Sequence, residues 1–181
     1  DIIFGNASPA GRLPLTFPKS IDQLPDYEDY AMQGRTYRYM TEEPLYPFGF
    51  GLSYTTFEYD EVQLSQKEIM ADGHTTISCT VTNTGDLASD EVVQLYIADD
   101  EADVAVPLFS LKGVQRIHLA PGESQRVHFD IHTKMLELVN EKGESELQTG
   151  SFTLYIGGSV PTPRAKELGS SKPVRTKLLV K

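Results

Sequence analysis

At 181 residues, with 39% hydrophobic and 9% aromatic side chains, the chain is long enough for one substantial domain plus extra material, or for two small ones. A formal net charge of −10 argues against nucleic acid as a partner, since phosphates require a basic surface. No apolar run approaches the ~20 residues that span a bilayer, so no membrane partner is expected.

In chain order, Asp1 to Phe4 reads as the end of an element, and residues 5–56 as extended chain. Pro9, Gly11, Pro14, Pro18, Pro25, Gly34, Pro44, Pro47, Gly49 and Gly51 punctuate this part, and its apolar residues hold neither a two-residue nor a 3.6-residue period. So long a loop is improbable inside a self-contained domain, so these residues are expected to lie against a partner. Within it, Glu43 to Phe57 is aromatic, with prolines that fix φ and glycines that permit turns, and reads as a rigid connector between folded units.

From Phe57 the pattern turns to strands. Ile77, Cys79 and Val81 alternate with Ser78, Thr80 and Thr82; Asn83 to Asp86 supplies a turn; and Glu91 to Ile97 follows with Val93, Leu95 and Ile97 facing one way. Leu111 to Leu119 is interrupted at Gly113, and Pro121-Gly122 is a turn dipeptide. Val127, Phe129 and Ile131 alternate, as do Phe152, Leu154 and Ile156, and Val174 to Val180 supplies a closing strand. Thr133 to Val139 alone suits a short helical turn. Roughly seven strands at ~8–12-residue spacing predict an all-β chain: a fibronectin type III-like (immunoglobulin-like) antiparallel β-sandwich over residues 57–181, preceded by the mostly irregular segment 1–56. Neither Trp nor a cystine pair is present, which disfavours a true immunoglobulin domain.

Several clusters invite a chemical reading. Asp99, Asp100, Glu101 and Asp103 lack the turn glycine and distal glutamate of a calcium loop, and read as a solvated loop or an interface near a site's rim. His128 and His132 share the strand face opposite Val127, Phe129 and Ile131, so both are expected in solvent, and neither they, His74 nor His118 suggest a closed metal site. Cys79, the only cysteine, excludes an intrachain disulfide and reads as a small buried residue. No metal and no cofactor are expected. Tyr27, Tyr30, Tyr37, Tyr39 and Tyr46 lie close in sequence to Arg35 and Arg38. Arg35, Tyr37, Arg38 and Tyr39 are the candidates for a substrate edge or a domain interface: aromatic faces stack on sugars and arginines donate to hydroxyls. The blander expectation is that they pin the connector onto domains absent from this chain, with the arginines paired to acidic neighbours.

Three motifs together resemble the C-terminal part of family 3 glycoside hydrolases. Phe4-Gly5-Asn6-Ala7-Ser8-Pro9-Ala10-Gly11-Arg12-Leu13-Pro14-Leu15-Thr16-Phe17-Pro18 is similar to the end of that family's α/β-sandwich domain. Gly34 to Tyr39, running into the Pro44-to-Phe57 junction, is similar to its connector. Val81 to Gly85, Glu91 to Tyr96, Leu111 to Gly113, Leu119 to Glu123 and Gly150 to Phe152 are similar to its fibronectin type III-like domain. The resemblance implies a parent that is a retaining β-glycosidase acting on terminal β-linked xylose or glucose of plant-derived oligosaccharides, with Gly34 to Tyr39 closer to β-xylosidases. It also implies that the nucleophile and the acid/base lie in N-terminal catalytic domains, the expected partner, so no catalytic residue is assigned here and the chain alone is expected to be inactive. The chain starts at Asp1 in mid-pattern, so any targeting signal is expected upstream, with a periplasmic or extracellular parent. The alternative is a polysaccharide- or protein-binding module, which the lack of Trp disfavours. Cut from its partner, the 1–56 segment is expected to pack back on the sandwich or to self-associate through Phe48, Phe50 and Tyr54.

Overall fold

The computed structural model describes residues 1–181. Ten strands follow the leading segment: β1 (Phe57–Leu64), β2 (Glu68–Ile69), β3 (His74–Asn83), β4 (Ser89–Asp99), β5 (Ser110–Leu119), β6 (Ser124–His132), β7 (Leu138–Val139), β8 (Ser145–Glu146), β9 (Gly150–Gly157) and β10 (Val174–Val180). They form a three-stranded sheet in the order β1-β3-β6, a five-stranded sheet in the order β2-β10-β9-β4-β5 and a small β7-β8 hairpin. All pairings are antiparallel except the short one between β10 and β2. The architecture is the expected open β-sandwich.

The two large sheets bury their facing sides in one cluster of 20 residues. Ile77, Cys79 and Val81 of β3, Val127, Phe129 and Ile131 of β6, and Phe152, Leu154 and Ile156 of β9 all contribute, as their two-residue period requires. Each fully buried side chain of this size contributes about 1.5–3 kcal/mol from apolar burial. The interruption at Gly113 is real: the β4–β5 register shifts between Leu95 and Tyr96, opposite that glycine. A Cβ on Gly113 would come within 2.6 Å of the Phe129 ring, so the close approach of β5 to that ring needs glycine.

Four features differ from the sequence reading. β1 was hidden by its mixed pattern, because a bulge between Asp60 and Gln63, with Glu61 at φ 52°, breaks the alternation. Thr133 to Val139 splits into a 3₁₀ turn at Thr133–Met135 and the strand β7. A short helix at Pro163–Glu167 carries a Thr162 side-chain cap on Ala165 N–H and a proline in its first turn. Finally, β4 is buried on both sides: Gln94 and Tyr96, which point away from the core cluster, are 3% and 0% exposed. The cause is the leading segment, which packs back on the sandwich. It has little regular structure of its own beyond a 3₁₀ turn at Ile21–Gln23 and a single helical turn at Thr36–Tyr39.

Cys79 is fully buried among apolar neighbours, and burial pushes its thiol up from 9.0 to about 12. The folded-state value is the raised one, so the associated stability is complete below pH ~9 and is lost as the pH climbs toward 12. We expect Cys79 to resist a thiol-specific disulfide reagent at pH 8 until the protein unfolds, and Cys79→Ala to flatten part of the stability loss between pH 9 and 12. Urea titrations across that range measure it; rapid native-state labelling would contradict the burial.

Candidate functional site

The chain's most organised polar assembly lies where the leading segment meets the sandwich. Two strips of the segment pair with each other: Leu13 N–H donates to Phe50 O (2.9 Å), Gly49 N–H to Leu13 O (2.8 Å), Phe17 N–H to Tyr46 O (2.9 Å) and Leu45 N–H to Phe17 O (2.8 Å). This ribbon covers the outer side of β4. Gly49 sits at φ +75°, and a Cβ there would fall 2.3 Å from Gln94 Oε1 and 2.8 Å from the Tyr96 hydroxyl. Only glycine allows both the turn and the contact. Gln94 Nε2 donates to Gly49 O (3.3 Å) and Gly158 O (2.7 Å), while the Tyr96 hydroxyl donates to Gln94 Oε1.

At the edge of the core, Arg12 reaches from this ribbon to Glu91 of β4 and forms an ion pair with it. Only 2% of the Glu91 side chain and 11% of the Arg12 side chain are exposed. Arg12 Nε also donates to Gly158 O (3.1 Å), and Nη1 to Gly51 O (3.2 Å). The other Glu91 oxygen accepts from the Tyr59 hydroxyl at 2.7 Å. Burial first, and the adjacent Glu91 charge second, hold the Tyr59 hydroxyl well above its ordinary range, so it stays a donor. A second tie lies nearby: buried Asn83 accepts from the Thr55 hydroxyl (2.6 Å) and donates to the carbonyls of Leu87 and Leu119. No buried side-chain nitrogen or oxygen is left without a partner.

The four residues singled out from sequence fall into two groups. The Arg35 guanidinium donates to the carbonyls of Ala31 (3.0 Å), Asp26 (3.3 Å) and Asp29, so it props the 26–35 loop from within. This corrects the expected pairing with acidic side chains: the contacts are to backbone oxygens, which a planar guanidinium fork gathers well. Tyr37 stacks on Phe48 (4.3 Å between centroids), meets Tyr96 edge-on (6.0 Å), and accepts from Leu111 N–H (3.3 Å), bolting the connector to the sandwich. Arg38 and Tyr39 instead border a cleft of about 150 Å³ that they share with Lys112 of β5. Sequence reasoning missed Glu91, Tyr59 and Lys112. The available signal was a charge directly beside a large apolar residue within a predicted strand, at Glu91 before Val92-Val93 and at Lys112 after Leu111.

Elsewhere the polar groups are engaged locally. Asp100 accepts from Thr153 and pairs with Lys177, Asp103 accepts from Gln148, and Asp90 of β4 pairs with Arg116 and His118 on the surface. His74 faces His132 across the β3–β6 pairing, with ring centroids 6.3 Å apart. No group of three or more His, Cys, Asp or Glu side chains is arranged to hold a metal ion.

The buried pair yields a direct test. Glu91→Ala leaves Arg12 uncompensated, and Arg12→Ala leaves Glu91 so; each is expected to cost about 3–5 kcal/mol. The double alanine variant is expected to cost much less than the sum of the two, giving a large coupling in a double-mutant cycle measured by urea unfolding. Single costs below ~1 kcal/mol would mean that the pair does not join the segments.

Comparison with known proteins matches both halves of this junction. Residues 1–54 match the glycosyl hydrolase family 3 C-terminal domain, and residues 91–160 match the fibronectin type III-like domain. A putative β-xylosidase of Formosa agariphila is 44% identical over 162 residues, covering 87% of this chain and 21% of that protein. A periplasmic β-glucosidase of Salmonella typhimurium is 39% identical over 179 residues, covering 92% of this chain and 23% of its own length. The structure of a β-glucosidase from Erythrobacter marinus superposes with a TM-score of 0.80 at 33% identity, over 99% of this chain and 23% of that one. The chain thus spans less than a quarter of the length of these relatives. It corresponds to the C-terminal region of family 3 glycoside hydrolases, the end of one domain clamped onto a fibronectin type III-like sandwich.

Proposed function

We propose that this region is the non-catalytic C-terminal brace of a retaining β-glycosidase that releases terminal β-linked xylose or glucose from plant-derived oligosaccharides. The observation that carries the reading is the two-sided character of the leading segment. One side is fixed to the sandwich through Arg12, Tyr37, Gly49 and Phe50. The other leaves Ile3 91%, Phe4 85% and Ile21 81% exposed, an apolar surface suited to further protein. The N-terminal catalytic domains are the natural cover for it. Retention needs two carboxyl groups ~5–5.5 Å apart at an open site. The most buried carboxylate of this chain, Glu91, is committed to Arg12 and Tyr59. The large exposed apolar side chains beyond residue 57 are Met70, Leu87, Leu108, Val114 and Val139, so the sandwich offers no planar aromatic strip for a polysaccharide. The name of the Salmonella relative supports a periplasmic or extracellular parent.

Hydrolysis of 4-nitrophenyl β-xyloside and β-glucoside tests the assignment. Turnover is expected from the longer protein and not from residues 1–181, with the preferred glycoside naming the sugar; turnover by residues 1–181 alone would refute it. The same exposed face predicts self-association of the isolated chain. Sedimentation velocity should show the mean mass rising with concentration, and Ile3→Ser with Phe4→Ser should abolish the rise. A concentration-independent monomer would show that the face is not adhesive.

A further inference from the structure

The cleft between the connector and the sandwich is lined by two cations, Arg38 and Lys112, and two carboxylates, Asp99 and Glu137, yet neither cation makes an ion pair with them. Arg38, from the leading segment, makes no ion pair; its guanidinium carbon lies 5.9 Å from the centre of the Tyr39 ring. Lys112, on β5, is partly buried and is likewise unpaired. Burial, and after it the Arg38 charge, depress the Lys112 ammonium below its ordinary value, and Glu137 only partly offsets them. Lys112 therefore lines the cleft half-buried and without an ion-pair partner. Val106, Pro107, Met135 and Phe152 supply an apolar wall, and the Tyr39 ring borders the opening.

We propose that Arg38 and Lys112 form a binding site for a single organic carboxylate, at most the size of a sugar acid such as glucuronate. The Arg38 fork supplies a planar, two-pronged donor and Lys112 a point charge, the complement of a carboxylate. Two rim carboxylates limit the ligand's charge. Asp99 already accepts from Glu101 N–H, and Glu137 is exposed at the mouth. Together they repel a dianion, so inorganic phosphate fits worse than a monoanion. The apolar wall and Tyr39 suit a carbon skeleton behind the carboxylate. The site exists only where the connector lies on the sandwich: the Arg38 carbonyl accepts from Leu108 N–H at 2.6 Å, which ties the Arg38 backbone to the chain leading into β5.

The test is an NMR titration of residues 1–181 with acetate, glucuronate, glucose and phosphate, following the amides of Arg38, Ser110, Lys112 and Val139. Saturable shifts with acetate or glucuronate, and none with glucose, are expected. Lys112→Met and Arg38→Gln should each weaken binding about tenfold or more, and Glu137→Gln should strengthen it. Lys112→Met should also leave the thermal midpoint unchanged or raise it, because it removes a partly buried, unpaired ammonium; that separates lost binding from lost folding. Equal response to glucose, tighter binding of phosphate, indifference to both cation variants, or no response to either carboxylate would each overturn the proposal. One further arm rests on the reading of the chain as part of a longer enzyme. If the longer protein still responds, the ligand comes from solution; if it does not while residues 1–181 do, a carboxylate side chain of the preceding domains fills the cleft.

Discussion

Removing two charges from water costs several kcal/mol per ion, and the Arg12–Glu91 pair recovers that cost only with every hydrogen bond in place. The rest of the junction satisfies that condition. The carbonyls of Gly51 and Gly158 must point at the guanidinium, so the aromatic connector and the end of β9 are both held in register. Tyr59 must donate to Glu91, which locates β1 at the opposite sheet. One ion pair thus draws together four stretches of chain that lie far apart in sequence. A purely apolar contact would tolerate sliding between the ribbon and β4, whereas a buried charge pair tolerates almost none. Its role is specificity of docking more than net stability.

The strands were legible in the sequence wherever one face meets the core and the other meets water. Ile77-Ser78-Cys79-Thr80-Val81 and Val127-His128-Phe129-Asp130-Ile131 are of this kind, and both lie in the smaller sheet, whose outer side is exposed. β4 follows a different rule. Its outer side is covered by residues some 45 positions earlier, so Gln94 and Tyr96 are buried for reasons no local window contains. The same holds for Arg12 and Glu91, 79 residues apart, whose individual surroundings give each the look of a surface charge. The cap of the helix at Pro163–Glu167 was visible as Thr162-Pro163 and simply went unread. Of the four residues picked as an edge or interface, Tyr37 packs on Phe48 and Tyr96, and Arg35 donates to carbonyls of its own loop. Their side chains turn inward because neighbouring carbonyls and rings offer more contact than solvent does.

Acidity is distributed in a way that matches this division. The net charge of −10 comes largely from loops and outer strand faces, where Glu and Asp side chains keep the sandwich soluble. Individual guanidinium groups nevertheless take the junction contacts: Arg12 inside it, Arg35 and Arg38 along it, Arg164 beside Leu45 O. Residues 1–56 nonetheless carry seven carboxylates against four cations, so the segment and the sandwich are both net acidic and the guanidinium contacts hold the docked arrangement at short range, not by long-range attraction.

The ribbon's place in the chain has a temporal consequence. Arg12 is made early, yet one of its acceptors, Gly158 O, follows it by 146 residues. At ~5–20 residues per second, the guanidinium waits roughly 7–30 s during synthesis before its receiving surface exists. In that interval the connector's aromatic rings have no sandwich to rest on. The order of translation therefore makes closure of the ribbon over β4 one of the last folding events of this region, after every strand that receives it has been made.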